Sequence, residues 1–135
     1  MTYRIIDIEG IGEAYAPKLH AEGIKTVEQL LEWCGTPKGR RRLAEQTGIS
    51  EKLILKWTNH ADLFRIKGVG PQFAELLEAA GVDTVKEFRH RVAENLAQKM
   101  QETNDAKHLV RRVPSVKELV KMIEQAKELK PLMTY

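Results

Sequence analysis

The sequence has little cysteine, little glycine and proline, and no long apolar run, and each shortage excludes a class of protein. A single cysteine, Cys34, excludes an intrachain disulfide and a zinc site built from several cysteines. Nine glycines and five prolines in 135 residues are too few for a disordered or fibrous chain. No apolar run approaches the roughly 18 residues of a membrane helix, and no charged-then-apolar leader precedes the first motif. We therefore expect one soluble, cytoplasmic domain over residues 1–135, without a membrane partner, and an enzyme with a large pocket is disfavoured.

Charge is unevenly distributed along the chain. The net charge of +3 combines 22 basic and 19 acidic residues, but residues 1–35 carry −3 and residues 36–67 carry +5. Such asymmetry allows one face to attract a polyanion while another repels it. The densest basic group lies near the start of a predicted helix, where cations are slightly unfavourable to the helix dipole. This basic cluster, Lys38, Arg40, Arg41 and Arg42, is open to two interpretations, a phosphate-contacting patch or a solvated helix face.

The chain contains an internal duplication. Residues 8–31 align with residues 66–89 at an offset of 58, with nine identical positions. The similarity resumes between Ser50 and Ser115 at an offset of 65, so the second copy carries about seven extra residues. We expect two copies, about 4–65 and 66–130, that pack on each other as one domain because each is too small to bury its own core.

Helix start and stop signals predict an all-α fold. Capping boxes begin at Thr26, Thr84 and Ser115, and Thr36 precedes a proline at the first helical position. Glycine ends a helix at Gly48. The predicted helices span residues 13–22, 27–34, 37–47, 51–63, 71–80, 85–92, 94–103 and 115–130.

Each copy opens with two glycines around one apolar residue, followed by a helix. The two stretches are Gly10-Ile11-Gly12 and Gly68-Val69-Gly70. Glycines in this spacing allow a tight turn with positive φ angles, while the apolar residue anchors the turn in the core. Because the turn leads into a helix, backbone N–H groups point outward at a positive helix end, which favours a nucleic-acid phosphate.

This pattern resembles the helix-hairpin-helix motif of DNA repair and recombination proteins, over about 24 residues in each copy. Across its whole length the chain also resembles an uncharacterised bacterial domain-of-unknown-function family built from two such motifs. The stretches that carry the second resemblance are Ile8–Gly12, Leu63–Gly70, Leu76–Val82 and Val113–Ser115. Together the resemblances imply two tandem helix-hairpin-helix copies packed as one compact SAM-like helical domain.

The second motif is the better candidate for phosphate binding. Arg65 and Lys67 stand beside its turn, whereas Glu9 and Glu13 place negative charge beside the first turn. We therefore expect the first turn to be structural. The predicted site consists of the backbone amides of Gly68, Val69 and Gly70, the charges of Arg65 and Lys67, and the basic cluster of Lys38, Arg40, Arg41 and Arg42.

The leading hypothesis is a non-enzymatic module that binds nucleic acid without sequence specificity, and duplex DNA is the nucleic acid we expect. The sequence contains no recognisable catalytic arrangement and no nucleotide-binding loop. Neither the histidines nor Cys34 have the spacing of metal ligands, so we expect no metal and no cofactor. Cys34 is expected to be a small buried side chain. The alternative is a protein–protein interaction module in which the hairpins only build the fold, which the acidic first turn and the modest net charge favour. The oligomeric state is left open.

Overall fold

A computed structural model describes residues 3–135, and this part of the chain is built from helices. A 3-10 helix, Ile5–Asp7, precedes α1 (Gly12–Ala21), α2 (Val27–Cys34), α3 (Pro37–Thr47), α4 (Glu51–Leu63), α5 (Pro71–Ala79), α6 (Val85–Phe88), α7 (Ala93–Lys107) and α8 (Val116–Glu128). Residues 3–135 contain no strand. One isolated antiparallel β-bridge joins Arg4 and Thr26 in this part of the chain. The predicted all-α fold is confirmed.

The helices form two compact units. The first unit reaches Asp62 and also takes in Leu132–Tyr135, and the second unit is Leu63–Pro131. The same order of helices occurs in both: α2 and α6 begin 58 residues apart, and α4 and α8 begin 65 residues apart. These are the two offsets of the sequence duplication.

Four of the helices begin at the predicted side-chain caps, and at the start of α3 the Thr36 hydroxyl accepts the Gly39 N–H at 3.2 Å. The hydroxyls of Thr26 and Ser115 each accept the N–H three residues further on, at 3.2 and 3.1 Å. Gln29 and Glu118 complete these two capping boxes by accepting the N–H of the cap residue. Thr84 caps α6 through its hydroxyl, which accepts the Glu87 N–H. A filled cap stabilises a helix end by about 1 kcal/mol, so short helices can form at these positions.

The helix predicted over residues 85–92 is shorter than expected. It ends at Phe88, because the following N–H groups of His90 and Arg91 donate to carbonyls only three residues back. This tighter bonding turns the backbone out of the α-helical path. The chain then re-enters helix at Ala93.

The helix predicted over residues 94–103 is longer than expected and reaches Lys107. Its end is held by the buried Asn104, whose side chain donates to the Val110 carbonyl and accepts the Val110 N–H, both at 2.9 Å. The extra residues of the second copy therefore lie in this longer helix and in the loop that follows it.

Apolar side chains at helical spacing fill the interior of each unit. In the second unit, α7 packs against α5 and α8, and α6 packs against α8. Large side chains buried there include Leu77 and Phe88, and those buried in the first unit include Leu19, Leu43 and Trp57. Each such side chain contributes roughly 1.5–3 kcal/mol by leaving water. No helix within residues 3–135 has both the length and the apolar character required to cross a membrane.

Gly39 in α3 provides a test of this packing. A Cβ at residue 39 would lie 1.9 Å from the carbonyl oxygen of Trp33, which is a backbone atom that cannot move away alone. We expect Gly39→Ala to lower the free energy of unfolding by about 2 kcal/mol in spite of the higher helix propensity of alanine. Urea unfolding followed by circular dichroism would measure the change.

The matched control is Gln46→Ala at an exposed position of the same helix, which should change the free energy of unfolding by less than about 0.5 kcal/mol. An equal or higher urea midpoint for Gly39→Ala would contradict the close approach of Gly39 to Trp33.

Candidate nucleic-acid interface

The second glycine turn, residues 66–70, connects α4 to α5. Gly68 has a φ of +93°, a left-handed conformation that L side chains rarely adopt, so glycine is required there. The Val69 N–H donates to the Ile66 carbonyl at 3.1 Å, and the Val69 side chain is buried. Gly70 is extended and serves as the N-cap of α5. The turn is therefore closed on its inner side by a backbone hydrogen bond and a buried side chain.

The first turn of α5 presents backbone N–H groups without a side-chain cap. Gly70 supplies no capping side chain, and Pro71 has no N–H to satisfy. The helical bonds begin with the Ala74 N–H, which donates to the Gly70 carbonyl at 2.9 Å. The amides of Gln72 and Phe73 precede that bond, so they lie outside the intrahelical ladder. This end of α5 is the positive end of its dipole.

This geometry changes which amides belong to the candidate site. The sequence predicted that the Val69 amide would bind phosphate. Its N–H instead donates to the Ile66 carbonyl and closes the turn, so it is not available to a ligand. The amides of Gly68 and Gly70 remain, and those of Gln72 and Phe73 join them. Sequence reasoning missed the last two, although the rule that the first N–H groups of a helix have no intrahelical acceptor could have found them.

The two predicted cations beside the turn differ in what they contact. The Lys67 side chain is exposed, and its backbone N–H donates to Gln125 Oε1 of α8 at 3.0 Å, which holds the turn in place. The Arg65 guanidinium donates to the Lys130 carbonyl, beyond the end of α8. Lys67 thus presents its charge to solvent, whereas Arg65 also ties the chain after α8 to the start of the turn.

The basic cluster lies in the first unit and is divided by burial. Lys38, Arg41 and Arg42 are exposed on α3, but Arg40 is only 6% exposed. This burial contradicts the placement of Arg40 beside the exposed Lys38, Arg41 and Arg42 in one solvent-facing patch.

Arg40 is instead a structural clamp. Its Nη1 donates to the Cys34 carbonyl at 2.9 Å and its Nη2 donates to the Thr134 carbonyl at 2.7 Å. Its guanidinium also lies 5.6 Å from the ring centroid of Tyr135, a cation–π distance. Thr134 is 94 positions further along the chain, so no local pattern around Arg40 indicates this role.

The first glycine turn, residues 8–12, closes as the second does but enters its helix differently, because Gly12 has a φ of +52° and begins α1, whereas Gly70 has a φ of −107° and precedes α5. Gly10 also has a φ of +93°, and the Ile11 N–H donates to the Ile8 carbonyl at 3.3 Å. The charges differ, because the exposed carboxylates of Glu9 and Glu13 stand beside this turn. They disfavour a phosphate by Coulomb repulsion.

The remaining titratable groups in the described part of the chain include a buried thiol and an exposed ion pair with shifted pKa values. Within residues 3–135, no three His, Cys, Asp or Glu side chains are placed to hold a metal ion. Cys34 is buried as predicted, and burial raises the pKa of its thiol to about 11, against the lowering effects of a Thr58 hydrogen bond and the Arg40 charge. The exposed pair of Arg112 and Glu118 makes two hydrogen bonds, at 2.8 and 3.1 Å, and holds the pKa of Glu118 near 2.

A protein-family comparison spans α1 to α8 and the glycines of both turns. The model of the family described as domain of unknown function DUF4332 matches residues 9–129. The chain belongs to the DUF4332 family. No curated protein and no solved structure matches the chain. The predicted resemblance to a domain-of-unknown-function family is therefore confirmed at the level of the family, and the description of DUF4332 assigns no activity.

The role of Arg40 in this DUF4332 protein can be tested by stability. We expect Arg40→Gln to lower the free energy of unfolding by about 2–4 kcal/mol, because it leaves two carbonyls without a charged donor and removes the contact with Tyr135. Arg41→Gln and Arg42→Gln change exposed side chains of the same helix, and each should stay within about 0.5 kcal/mol of the wild type. Chemical denaturation of the three variants would measure this. Equal free energies of unfolding for the three variants would refute the structural role of Arg40.

Cys34 of the DUF4332 protein should be chemically inert in the folded state. Its thiol is buried and its pKa is raised to about 11, so at pH 8 the reactive thiolate is about one-thousandth of the total thiol. Alkylation by iodoacetamide, followed by mass spectrometry, should be at least about 100-fold slower in buffer than in denaturing urea. Equal rates would place Cys34 at the surface.

Proposed function

We propose that this DUF4332 protein is a non-enzymatic helix-hairpin-helix module of the cytoplasm that binds nucleic acid, preferably duplex DNA, without a cofactor. Binding occurs through phosphate contacts at the second glycine turn. The observation that carries the proposal is the uncapped amino end of α5, which follows a closed glycine turn with the exposed Lys67 on it. The amides of Gly68, Gly70, Gln72 and Phe73 are the proposed phosphate ligands.

Two physical effects favour a phosphate at this position. The N–H groups at the start of a helix and the positive end of its dipole both stabilise an anion. Lys67 adds a full positive charge, and Gln125 holds its backbone, so the turn needs little reordering when a ligand binds. Arg65 contributes charge nearby while its guanidinium holds the Lys130 carbonyl.

Contacts of this kind hold the nucleic-acid backbone and do not read the bases. We therefore expect little sequence preference and a dissociation constant of about 10⁻⁴–10⁻⁶ M at physiological salt, the usual range for non-specific binding. A preference above about 100-fold between unrelated duplexes would contradict phosphate-only recognition.

A protein–protein interaction module is the second candidate function, supported by the outer face of α8. Val116 and Val120, four residues apart on this helix, are 38% and 39% exposed. Apolar side chains at this spacing form a stripe that a partner helix could cover. The acidic surroundings of the first glycine turn agree with a protein partner better than with a polyanion.

The duplication supplies a charge-swap test, because Glu9 occupies in the first turn the position that Lys67 occupies in the second. We expect Lys67→Glu to weaken binding of a fluorescently labelled duplex by at least about tenfold and to reduce the salt dependence by about one phosphate contact. Fluorescence anisotropy across a salt series would measure both. The control is Lys99→Glu, an exposed position of α7 with the same change of charge.

The opposite charge change at the first turn separates an effect of the second turn from an effect of net charge. Glu9→Lys should leave binding equal or somewhat stronger, and circular dichroism should be unchanged in all three variants. Equal losses in Lys67→Glu and Lys99→Glu would show that only net charge matters and would refute the second turn as the site. No duplex binding by the wild type at low salt, where phosphate contacts are strongest, would refute the nucleic-acid proposal and favour a protein partner.

A further inference from the structure

The first unit contains an open cleft of about 450 Å³ that the second glycine turn does not involve. Its volume falls within the roughly 300–1,000 Å³ typical of small-molecule sites. The apolar parts of its lining are Pro37, Leu55 and the ring of Tyr135, and its charged parts include Arg41 and Lys52. An aromatic surface and positive charges in one cleft suit a ligand that combines a planar ring with an anion.

Tyr135 is held firmly although it is exposed. Its hydroxyl donates to Oδ1 of the buried Asn59 at 3.1 Å, and the buried Arg40 guanidinium lies 5.6 Å from its ring centroid. The backbone just before it is fixed as well, because the Thr134 N–H donates to the Gly35 carbonyl at 2.8 Å. Even so, 65% of the Tyr135 surface is exposed. A ring ordered in advance can stack with a ligand at a small cost in conformational entropy.

The charges of the cleft indicate where an anion would lie. Arg40 also lines the cleft, but its side chain is buried and each of its terminal nitrogens already donates to a carbonyl. Arg41 and Lys52 are exposed and line the same cleft. Glu51 is the acidic side chain in the lining, and with Arg40, Arg41 and Lys52 opposite it the side chains there carry a net positive charge. An anion would therefore lie against Arg41 and Lys52.

We propose that this cleft binds one unpaired nucleotide unit, with its base stacked on Tyr135 and its phosphate against Arg41 and Lys52. The ligand chemistry is the same for a free mononucleotide and for one nucleotide of a single strand. The inference rests on the proposed function in so far as the partner is a nucleic acid. It adds that a part of this partner is unpaired and that a second surface, in the other unit, contacts it.

Tyr135→Leu is the central test, by fluorescence anisotropy with a labelled single-stranded 12-mer. We expect this variant to bind the strand about 5- to 100-fold more weakly than the wild type, since stacking on an aromatic ring is the contact removed. Tyr135→Phe keeps the ring and should bind within about threefold of the wild type. Unchanged binding by a folded Tyr135→Leu variant would overturn the proposal.

The phosphate contact has its own matched variants. Arg41→Gln and Lys52→Gln should each weaken strand binding and reduce its salt dependence. The control is Arg42→Gln, which removes the same charge from an exposed position of α3 outside the cleft lining. Equal losses for Arg41→Gln and Arg42→Gln would overturn the assignment of the phosphate to the cleft.

Two series of ligands, abasic strands and unlabelled competitors, test the cleft in the wild type, so the result does not depend on whether Tyr135→Leu folds. For the wild type, a strand made of abasic sugar-phosphate should bind at least about fivefold more weakly than the normal strand. Equal binding of these two strands would overturn the proposal. Competition by adenosine monophosphate at millimolar concentration would identify a free nucleotide as a sufficient ligand, whereas competition by unlabelled strand alone would assign the site to single strands.

The same series separates this inference from the proposed function. Duplex binding that is lost in Lys67→Glu, together with strand binding that is insensitive to Tyr135, would leave the proposed function standing and reject the cleft. Strand binding that depends on Tyr135, without any binding of duplex, would support the cleft and reject the proposed function.

Discussion

The path of the chain in both copies depends on a left-handed residue at the same point of the turn, Gly10 and Gly68, each with a φ of +93°. This conformation lets the following residue, Ile11 or Val69, bury its side chain and close the turn with its own N–H. Because that N–H donates to a carbonyl within the turn, the N–H groups that remain accessible to solvent are those at the start of the next helix. The same constraint thus sets the fold of the turn and the position of its exposed donors.

The same closing hydrogen bond is surrounded by opposite charges in the two copies. The hydrogen bonds that close the turns recur at an offset of 58 residues, yet carboxylates stand beside the first turn where Lys67 stands beside the second. Main-chain geometry follows from glycine and buried apolar residues, which the duplication has kept. Exposed side chains are free of that geometric demand, so ligand preference can differ between the copies while the closing bond of the turn is kept.

Burial gives neighbouring arginines different roles. Arg40 and Arg41 are adjacent in α3, but a helix rotates successive side chains by about 100°, so one points inward and the other outward. The inward guanidinium satisfies two carbonyls and supports the ring of Tyr135, and the outward one borders the cleft beside that ring. The structural and the candidate binding roles are therefore coupled through Tyr135, at the far end of the chain.

The sequence alone determined the all-α class, the duplication, and the helix starts at Thr26 and Ser115, because periodicity, caps and glycine turns act over a few residues. Local patterns also indicated the turn around Gly68. Only the tertiary structure decided which amides of that turn remain available and that Arg40 is buried, since both depend on the direction a group takes in the folded chain. Thr134 lies 94 positions from Arg40 and Asn59 lies 76 positions from Tyr135, and contacts at such separations leave no signal in a local pattern.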